Sequence, residues 1–296
     1  MIDAATTRAV QVALVTCSAV PDLDPDDRLL LGPLADRAVS VAPAVWDDPT
    51  VDWASFDLVV LRSTWDYASR RAEFVAWADR VPRLVNPAEV VTWNTDKRYL
   101  RELESGGVPV VATTWIEPGD TWSMPAEGEW VIKPAVSAGG KDTGRYDAGD
   151  PAQRGHAATH VAGLQAAGRL VMVQPYLPAV DSYGETAVLF LGGEYSHSIR
   201  KGPLLGGPDL GDVELYRAEE ITARLPTPSE LSVAEKALAV VPGGPDQLLY
   251  ARIDLIPGLD GEPLLVELEL TEPSLFLSTS SAAADRLADA IFDRLV

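Results

Sequence analysis

Two short segments near the end of the chain constrain it most. In Ala251-Arg252-Ile253-Asp254-Leu255-Ile256 and Leu265-Val266-Glu267-Leu268-Glu269-Leu270, charged and apolar side chains alternate. Successive side chains of an extended strand point to opposite faces. Arg252 with Asp254, and Glu267 with Glu269, therefore share a face, while Ile253, Leu255, Val266, Leu268 and Leu270 take the other. Asp260-Gly261 supplies a turn between them. The pattern predicts an antiparallel hairpin over residues 250–270, apolar on one side and carrying three carboxylates on the other. Like charges that close raise one another's pKa unless a cation compensates, and hard oxygen donors of this kind suit magnesium. Alternation alone would equally describe a solvated strand face, so the rest of the chain has to decide.

The first third alternates apolar runs with amphipathic stretches: strands over 10–16, 39–45 and 57–62, helices over 26–38 and 69–81. That is a small parallel α/β unit. Its first strand ends in Thr16-Cys17-Ser18-Ala19-Val20 without glycine, and GxxxxGK[ST] occurs nowhere, so a Rossmann dinucleotide site and a P-loop are both excluded. From about residue 92 the pattern changes. Asn94-Thr95-Asp96 reads as the cap of a helix ending at Ser105 before Gly106-Gly107. Strands follow over 108–116, 130–133, 170–174, 186–191 and 195–200, with helices over 152–167, 229–240 and 281–295. No repeat or low-complexity tract interrupts them.

The charge of −20 and pI near 4.4 argue against nucleic acid as a partner, because affinity for a polyanion comes largely from Lys and Arg. A single cysteine, Cys17, allows no internal disulfide and no multi-cysteine metal site. No apolar run approaches a membrane span, and the opening residues MIDAATTRAV have no signal core, so the expectation is a cytoplasmic protein with no membrane partner. His156 and His160 have the spacing of a helical metal pair but lack the glutamate between them and a third ligand.

Only five of the 24 basic residues are lysines: Lys97, Lys133, Lys141, Lys201 and Lys236. Lys133 ends the apolar strand Trp130-Val131-Ile132-Lys133 and precedes a loop of small residues, Ser137-Ala138-Gly139-Gly140-Lys141-Asp142-Thr143-Gly144. Backbone N–H groups and ammonium groups so placed can surround phosphates. Taken with Lys97 and the acidic hairpin, the set is far more specific than any one motif.

In this order the motifs resemble the ATP-grasp superfamily over residues 92–296. Asn94-Thr95-Asp96-Lys97 with Gly107-Val108-Pro109-Val110 is similar to its first lysine motif, and Val131-Ile132-Lys133-Pro134 to its second. The resemblance implies an α/β (α+β) ATP-grasp fold with an N-terminal parallel α/β domain, divided as 1–91, 92–185 and 186–296. It makes Lys97 and Lys133 phosphate contacts, and Ser137, Gly139, Gly140 and Lys141 part of a phosphate lid. Val171-Met172-Val173-Gln174-Pro175-Tyr176-Leu177 resembles the hinge that meets adenine, through Gln174, Tyr176 and Leu177, and Asp181 the ribose contact. Asp254, Glu267 and Glu269 then fall on magnesium ligands, Glu269 in place of the usual asparagine. Arg252, Arg200 and the adjacent Lys201 fall on basic positions facing the transferred phosphate. ATP and Mg2+ are the implied cofactors.

A finer resemblance is to the subgroup of cyclo-ligases that close O-ureido-D-serine to D-cycloserine. Arg62-Ser63-Thr64-Trp65-Asp66-Tyr67 and the segment from Glu269 to Phe276, with Glu272 and Ser274, carry it. The resemblance implies that these residues face a small amino-acid-like substrate, in antibiotic biosynthesis. Two rivals remain open here: an intermolecular amino-acid or dipeptide ligase, and a nucleotide-binding regulatory module without catalysis. A homodimer is also left open.

Overall fold

The computed structural model describes residues 10–209 and 220–295. All but the last of the opening MIDAATTRAV residues lie outside that range. Strands β1 (Gln11–Thr16) and β2 (Ser40–Val45) are joined by a one-turn 3-10 helix, Asp27–Leu30, and helix α1 (Leu31–Asp36). The sequence predicts one helix over 26–38. Gly32-Pro33 divides it, since proline is tolerated in the first turn of a helix but not in its interior, where it removes a hydrogen bond. Strand β3 (Leu58–Ser63), helix α2 (Arg71–Ala78) and the two-residue β4 (Leu84–Val85) complete a parallel sheet of order β2-β1-β3-β4.

Helix α3 (Ala88–Asn94) has no counterpart in the sequence prediction, which takes Asn94 as the cap of the next helix; that helix, α4 (Tyr99–Ser105), starts five residues later. Asn94 has a different task. Its amide donates to Leu268 O at 2.7 Å and accepts from Leu270 N at 2.7 Å, pinning α3 to the hairpin.

The next sheet contains β5 (Thr114–Ile116), β6 (Glu129–Pro134), β7 (Gly144–Asp147) and, after α5 (Pro151–Ala166), β8 (Val171–Pro175), in antiparallel order β5-β8-β6-β7. The expected strand over 108–116 is split between two sheets. Val111 N donates to Leu265 O at 3.0 Å and Leu265 N to Pro109 O at 2.8 Å, whereas Thr114–Ile116 pairs with β8. Pro109 carries no N–H, which suits this edge position. After the short α6 (Ala179–Ser182) come β9 (Glu185–Leu191), β10 (Glu194–Lys201), β11 (Ile221–Arg224), α7 (Pro228–Val240), β12 (Tyr250–Pro257) and β13 (Pro263–Glu269), in a sheet of order β11-β10-β9-β12-β13.

In the hairpin Arg252 lies opposite Glu269 and Asp254 opposite Glu267, so the charged residues share one face as alternation predicts. A register shift after Asp254 then brings Leu255 opposite Leu265, passing over Val266. That bulge turns Val266 into an apolar cluster with Tyr176, Leu177 and Ile256, rather than onto the face opposite the carboxylates.

Helix α8 (Ala283–Asp293) closes the fold. Leu287, Ala288 and Ile291 share one core with Val12, Leu14 and Leu34 of the first unit and Leu189 of β9, while Asp285 and Asp289 face outward to Arg37 at 3.3 and 2.6 Å. Two buried polar side chains lock the units further. Asn86 donates to Tyr250 O and Leu270 O at 2.9 and 2.8 Å and accepts from Leu249 N at 2.7 Å. The Tyr250 hydroxyl lies 2.7 Å from Leu61 O and 2.9 Å from Thr271 O. Among the described residues no helix is long and apolar enough to cross a membrane.

Candidate active site

A cavity of about 700 Å³ runs between the two antiparallel sheets and reaches the first unit. One end is apolar. Val111, Val131, Tyr176, Leu177, Val180 and Ile256 wall it, and this is the flat, dry surface on which an aromatic base can stack. Gln174 opens into it and donates to Thr113 Oγ1 at 2.9 Å. Asp181 stands outside the wall, accepting from the Tyr176 hydroxyl at 2.5 Å and lying 3.5 Å from Arg145.

The middle is charged. Lys97, Lys133, Lys201 and Arg252 meet Glu185, Glu267 and Glu269 there. Lys97 Nζ is 2.9 Å from Glu267 and 2.9 Å from Ser137 O. Burial works against the Lys97 charge, but Glu267, with Glu269 and Glu272 behind it, outweighs burial and holds the ammonium above its ordinary pKa. Lys201 pairs with Glu185 and, at 2.8 Å, with Asp254; Arg252 pairs with Glu269 and, at 2.9 Å, with Asp254. Lys133 differs. Among the described residues it has no ion pair, and burial pushes its pKa down, with Glu267 pulling partly against it. An anion arriving here would supply the missing partner.

The hairpin carboxylates are not equivalent. Asp254 is 1% exposed, beneath the cavity surface, and although burial opposes its charge, Arg252 and Lys201 hold it far below the usual carboxylate range. Glu267 is lowered too, since Lys97 and Lys133 overcome burial. Burial pushes Glu269 up to about 7, with Glu267 and Asp254 adding to it against Arg252. Among the described residues no three His, Cys, Asp or Glu side chains gather closely enough to form a metal cage. Glu267 and Glu269 still fit magnesium, which commonly takes one or two carboxylates together with nucleotide phosphates and water.

Over the middle lies the loop 137–144. Ser137, Gly139, Gly140 and Thr143 face the cavity, Lys141 lies outside. Gly140 has φ +70°, and a Cβ there would press to 3.2 Å of Leu204, a residue of the opposite rim. Arg200 also lies outside the cavity, with its guanidinium on Tyr183 O at 2.9 Å. It alternates with Lys201 along β10, so only one of the two can face inward.

At the other end the walls are polar and aromatic: Asp24, Asp26, Trp65, Tyr67, Glu272 and Phe276. Of the expected substrate segment only Trp65 and Tyr67 reach the cavity, joined by Glu272 and Ser274. Arg62 is 1% exposed and committed to Asp27 at 2.8 Å and Pro273 O at 2.9 Å. Ser63 donates to Asp27 at 2.6 Å, Asp66 accepts from Trp46 Nε1 at 2.9 Å, and the buried Thr64 hydroxyl has no partner among the described residues. Trp65 Nε1 donates to Glu272 O at 3.1 Å, and the Glu272 side chain bonds the Tyr67 hydroxyl. Burial, then Glu269, push Glu272 up to about 8.

Sequence reasoning missed Asp24, Asp26, Glu185 and Leu204, whereas Phe276 closes the segment singled out by resemblance and does line the cavity. Glu185 had a signal, since it opens an otherwise apolar strand and sits opposite Lys201 in the β9–β10 ladder. Asp24 and Asp26 had none: Asp26 meets Leu277 N and Ser278 N about 250 positions away, and Asp24 is placed by Ser63, 39 positions away.

Residues 12–86 match the family described as D-cycloserine synthetase DcsG, N-terminal domain. The cycloserine biosynthesis protein DcsG of Streptomyces lavendulae is 40% identical over 96% of this chain and 98% of its own. The crystal structure of D-cycloserine synthetase DcsG superimposes with a TM-score of 0.85 at 36% identity, over 97% of this chain and all of that one. A more distant structure, the ATP-grasp ligase PsnB complexed with minimal precursor, Mg and ADP, has a TM-score of 0.61 at 19% identity over 97% of each chain, which shows a shared fold. With 40% identity across nearly its whole length, the chain belongs to the D-cycloserine synthetase family of ATP-dependent ligases, built on the ATP-grasp fold.

Proposed function

We propose that the chain closes O-ureido-D-serine, or a close β-aminooxy relative, to D-cycloserine with conversion of ATP to ADP and phosphate. The observation that carries this reading is the layout of one cavity: an apolar slot, then Lys133, which has no ion pair among the described residues, beside paired charges, then a small polar end. A nucleotide with its base in the slot would lay its phosphates on Lys133 and Lys97 under the 137–144 loop, leaving the polar end for a small zwitterion. The relatives' names supply the product, D-cycloserine, and the cyclo-ligase resemblance of the sequence supplies O-ureido-D-serine as its precursor.

A carboxylate is a poor acyl donor. Transfer of the γ-phosphoryl group makes it an acyl phosphate, whose leaving group is phosphate. Lys133, Lys97 and Arg252 hold fixed positive charge where negative charge spreads during that transfer. Glu267 and Glu269 would hold magnesium, which when bound neutralises phosphate charge. The side-chain nitrogen of the same molecule then attacks the acyl carbon, and proximity replaces a second amine site. Glu272 lies beside Tyr67 at the polar end, where its ionised form, which grows as pH approaches about 8, would take the proton released by that nitrogen. Closure of the ureido substrate also consumes one water, which cleaves the carbamoyl group from that nitrogen and releases it as CO2 and NH3. The division 1–91, 92–185 and 186–296 is part of the proposal, with the first unit walling the substrate end.

The test is ADP release from ATP and O-ureido-D-serine with no added amine, with the ring identified by mass spectrometry. An absolute need for a second amine would reject cyclisation and favour an intermolecular ligase; nucleotide binding without turnover of any amino acid would favour a regulatory module.

A further inference from the structure

Phe276 has φ +49° and ψ 43°, the left-handed region. A non-glycine residue there is strained and persists only where its surroundings over-determine it. The surroundings do. Leu275 and Leu277 on either side are buried in the core. The Thr279 hydroxyl donates to Phe276 O at 2.7 Å. Above all, the carboxylate of Asp26 accepts from Leu277 N at 2.7 Å and Ser278 N at 2.9 Å. Phe276 stands at the cap position of the one-turn helix Leu277–Thr279 without an oxygen of its own, and Asp26, from the first unit, does the capping. The ring held this way lines the cavity with the Arg252 guanidinium 5.6 Å from its centroid.

We infer that Phe276 determines which substrates the polar end accepts, by occupying the space beside Arg252 that a second amine would need, and that Asp26 is the residue that positions it. The inference rests on the ligase reading above and deepens it. Arg252 is paired with Asp254 and Glu269 and donates to Ser274 O, and the Phe276 ring adds an apolar surface beside it that can select by shape. A carboxylate brought to Arg252 approaches beside the ring, and its own side-chain nitrogen is then the nucleophile within reach.

Phe276→Ala and the gentler Phe276→Leu test this, assayed with O-ureido-D-serine alone and with D-alanine as an external amine. For Phe276→Ala the KM of the amino acid should rise about tenfold with the KM of ATP unchanged, and an intermolecular amide to D-alanine, absent with the unaltered protein, should appear. Phe276→Leu should fall between the two. Asp26→Ala should raise the same KM about fivefold, and Asp26→Glu should recover much of the loss, since it keeps a carboxylate that can reach both N–H groups. Phe276 variants with unchanged KM and no intermolecular product would overturn the inference. So would an Asp26→Ala protein whose KM for ATP rises as much as that for the amino acid, the mark of a merely structural role. Unaltered protein that releases no ADP with O-ureido-D-serine removes the ligase reading and this inference together; turnover with unchanged selectivity in the variants removes the inference alone.

Discussion

At the end of the cavity walled by Val111, Tyr176 and Ile256, the residues come from β8, β12, β13 and the segments joining the two antiparallel sheets; at the other end, Asp24, Trp65, Glu272 and Phe276 sit on loops that meet only because the first unit docks on the C-terminal sheet. The first end is set by strand geometry and apolar packing. The second depends on single polar contacts between distant segments, such as Asp26 on Leu277 N and Trp65 on Glu272 O. In the proposed function the slot and the 137–144 loop hold the nucleotide, whereas loops can change without disturbing the sheets and so are suited to carry substrate choice.

The largest effect should come where the two ends meet. Glu267→Gln removes one of the two cavity carboxylates fit for magnesium and leaves Lys97 without its partner, so kcat should fall by about 10²–10³-fold with the fold intact by circular dichroism. Full activity in the variant, or after EDTA treatment, would detach the hairpin from catalysis.

Next is the nucleotide side. Lys133→Ala deletes the ammonium that has no ion pair among the described residues and should weaken ATP binding roughly 10- to 100-fold by calorimetry, leaving the KM of the amino acid within about twofold. A loss shared equally between the two substrates would erase the distinction between the ends.

Docking of the first unit gives a smaller, thermodynamic effect. Asn86→Ala leaves the buried Leu249 N–H and the carbonyls of Tyr250 and Leu270 without the amide, which should cost about 2–4 kcal/mol in denaturant unfolding. Where the protein remains folded, the KM of the amino acid should suffer more than that of ATP.

The last effect is a pH slope. Glu272 titrates near 8 in the fold, against an ordinary 4.5. Between those values the folded chain holds a proton that the unfolded chain has released, so stability falls as pH rises through that window. Glu269, at about 7, acts with the same sign. The melting temperature without ligand should decline from pH 6 to 8.5, and Glu272→Gln should flatten the decline. A flat profile for the unaltered protein would remove Glu272 as the group poised to take a proton.

The two ends also differ in how legible they are in the sequence. Alternation in β12 and β13 is enough to gather Arg252, Asp254, Glu267 and Glu269 on one face, because a strand's period of two is local, and the ladder sets Arg252 opposite Glu269 and Asp254 opposite Glu267. The bulge that moves Val266 is not local, since it depends on how β13 meets the 109–111 segment. The four cations of the middle are legible as residue types, but not that Lys133 alone stands without an ion pair among the described residues. At the substrate end the stretch from Arg62 to Tyr67 resembles a known pattern, yet only Trp65 and Tyr67 face the cavity. β3 is buried along its whole length, and Arg62 and Ser63 turn to Asp27. Nothing near Asp26 in sequence announces a turn 250 residues later.

The central claim is that the two ends meet at one reaction, in which the substrate carboxylate receives the γ-phosphoryl group. O-ureido-D-serine carrying ¹⁸O in its carboxylate tests it most directly, with the released phosphate analysed by mass spectrometry. The account predicts one labelled oxygen per phosphate formed during ring closure; phosphate free of label, with ring formation intact, would contradict it.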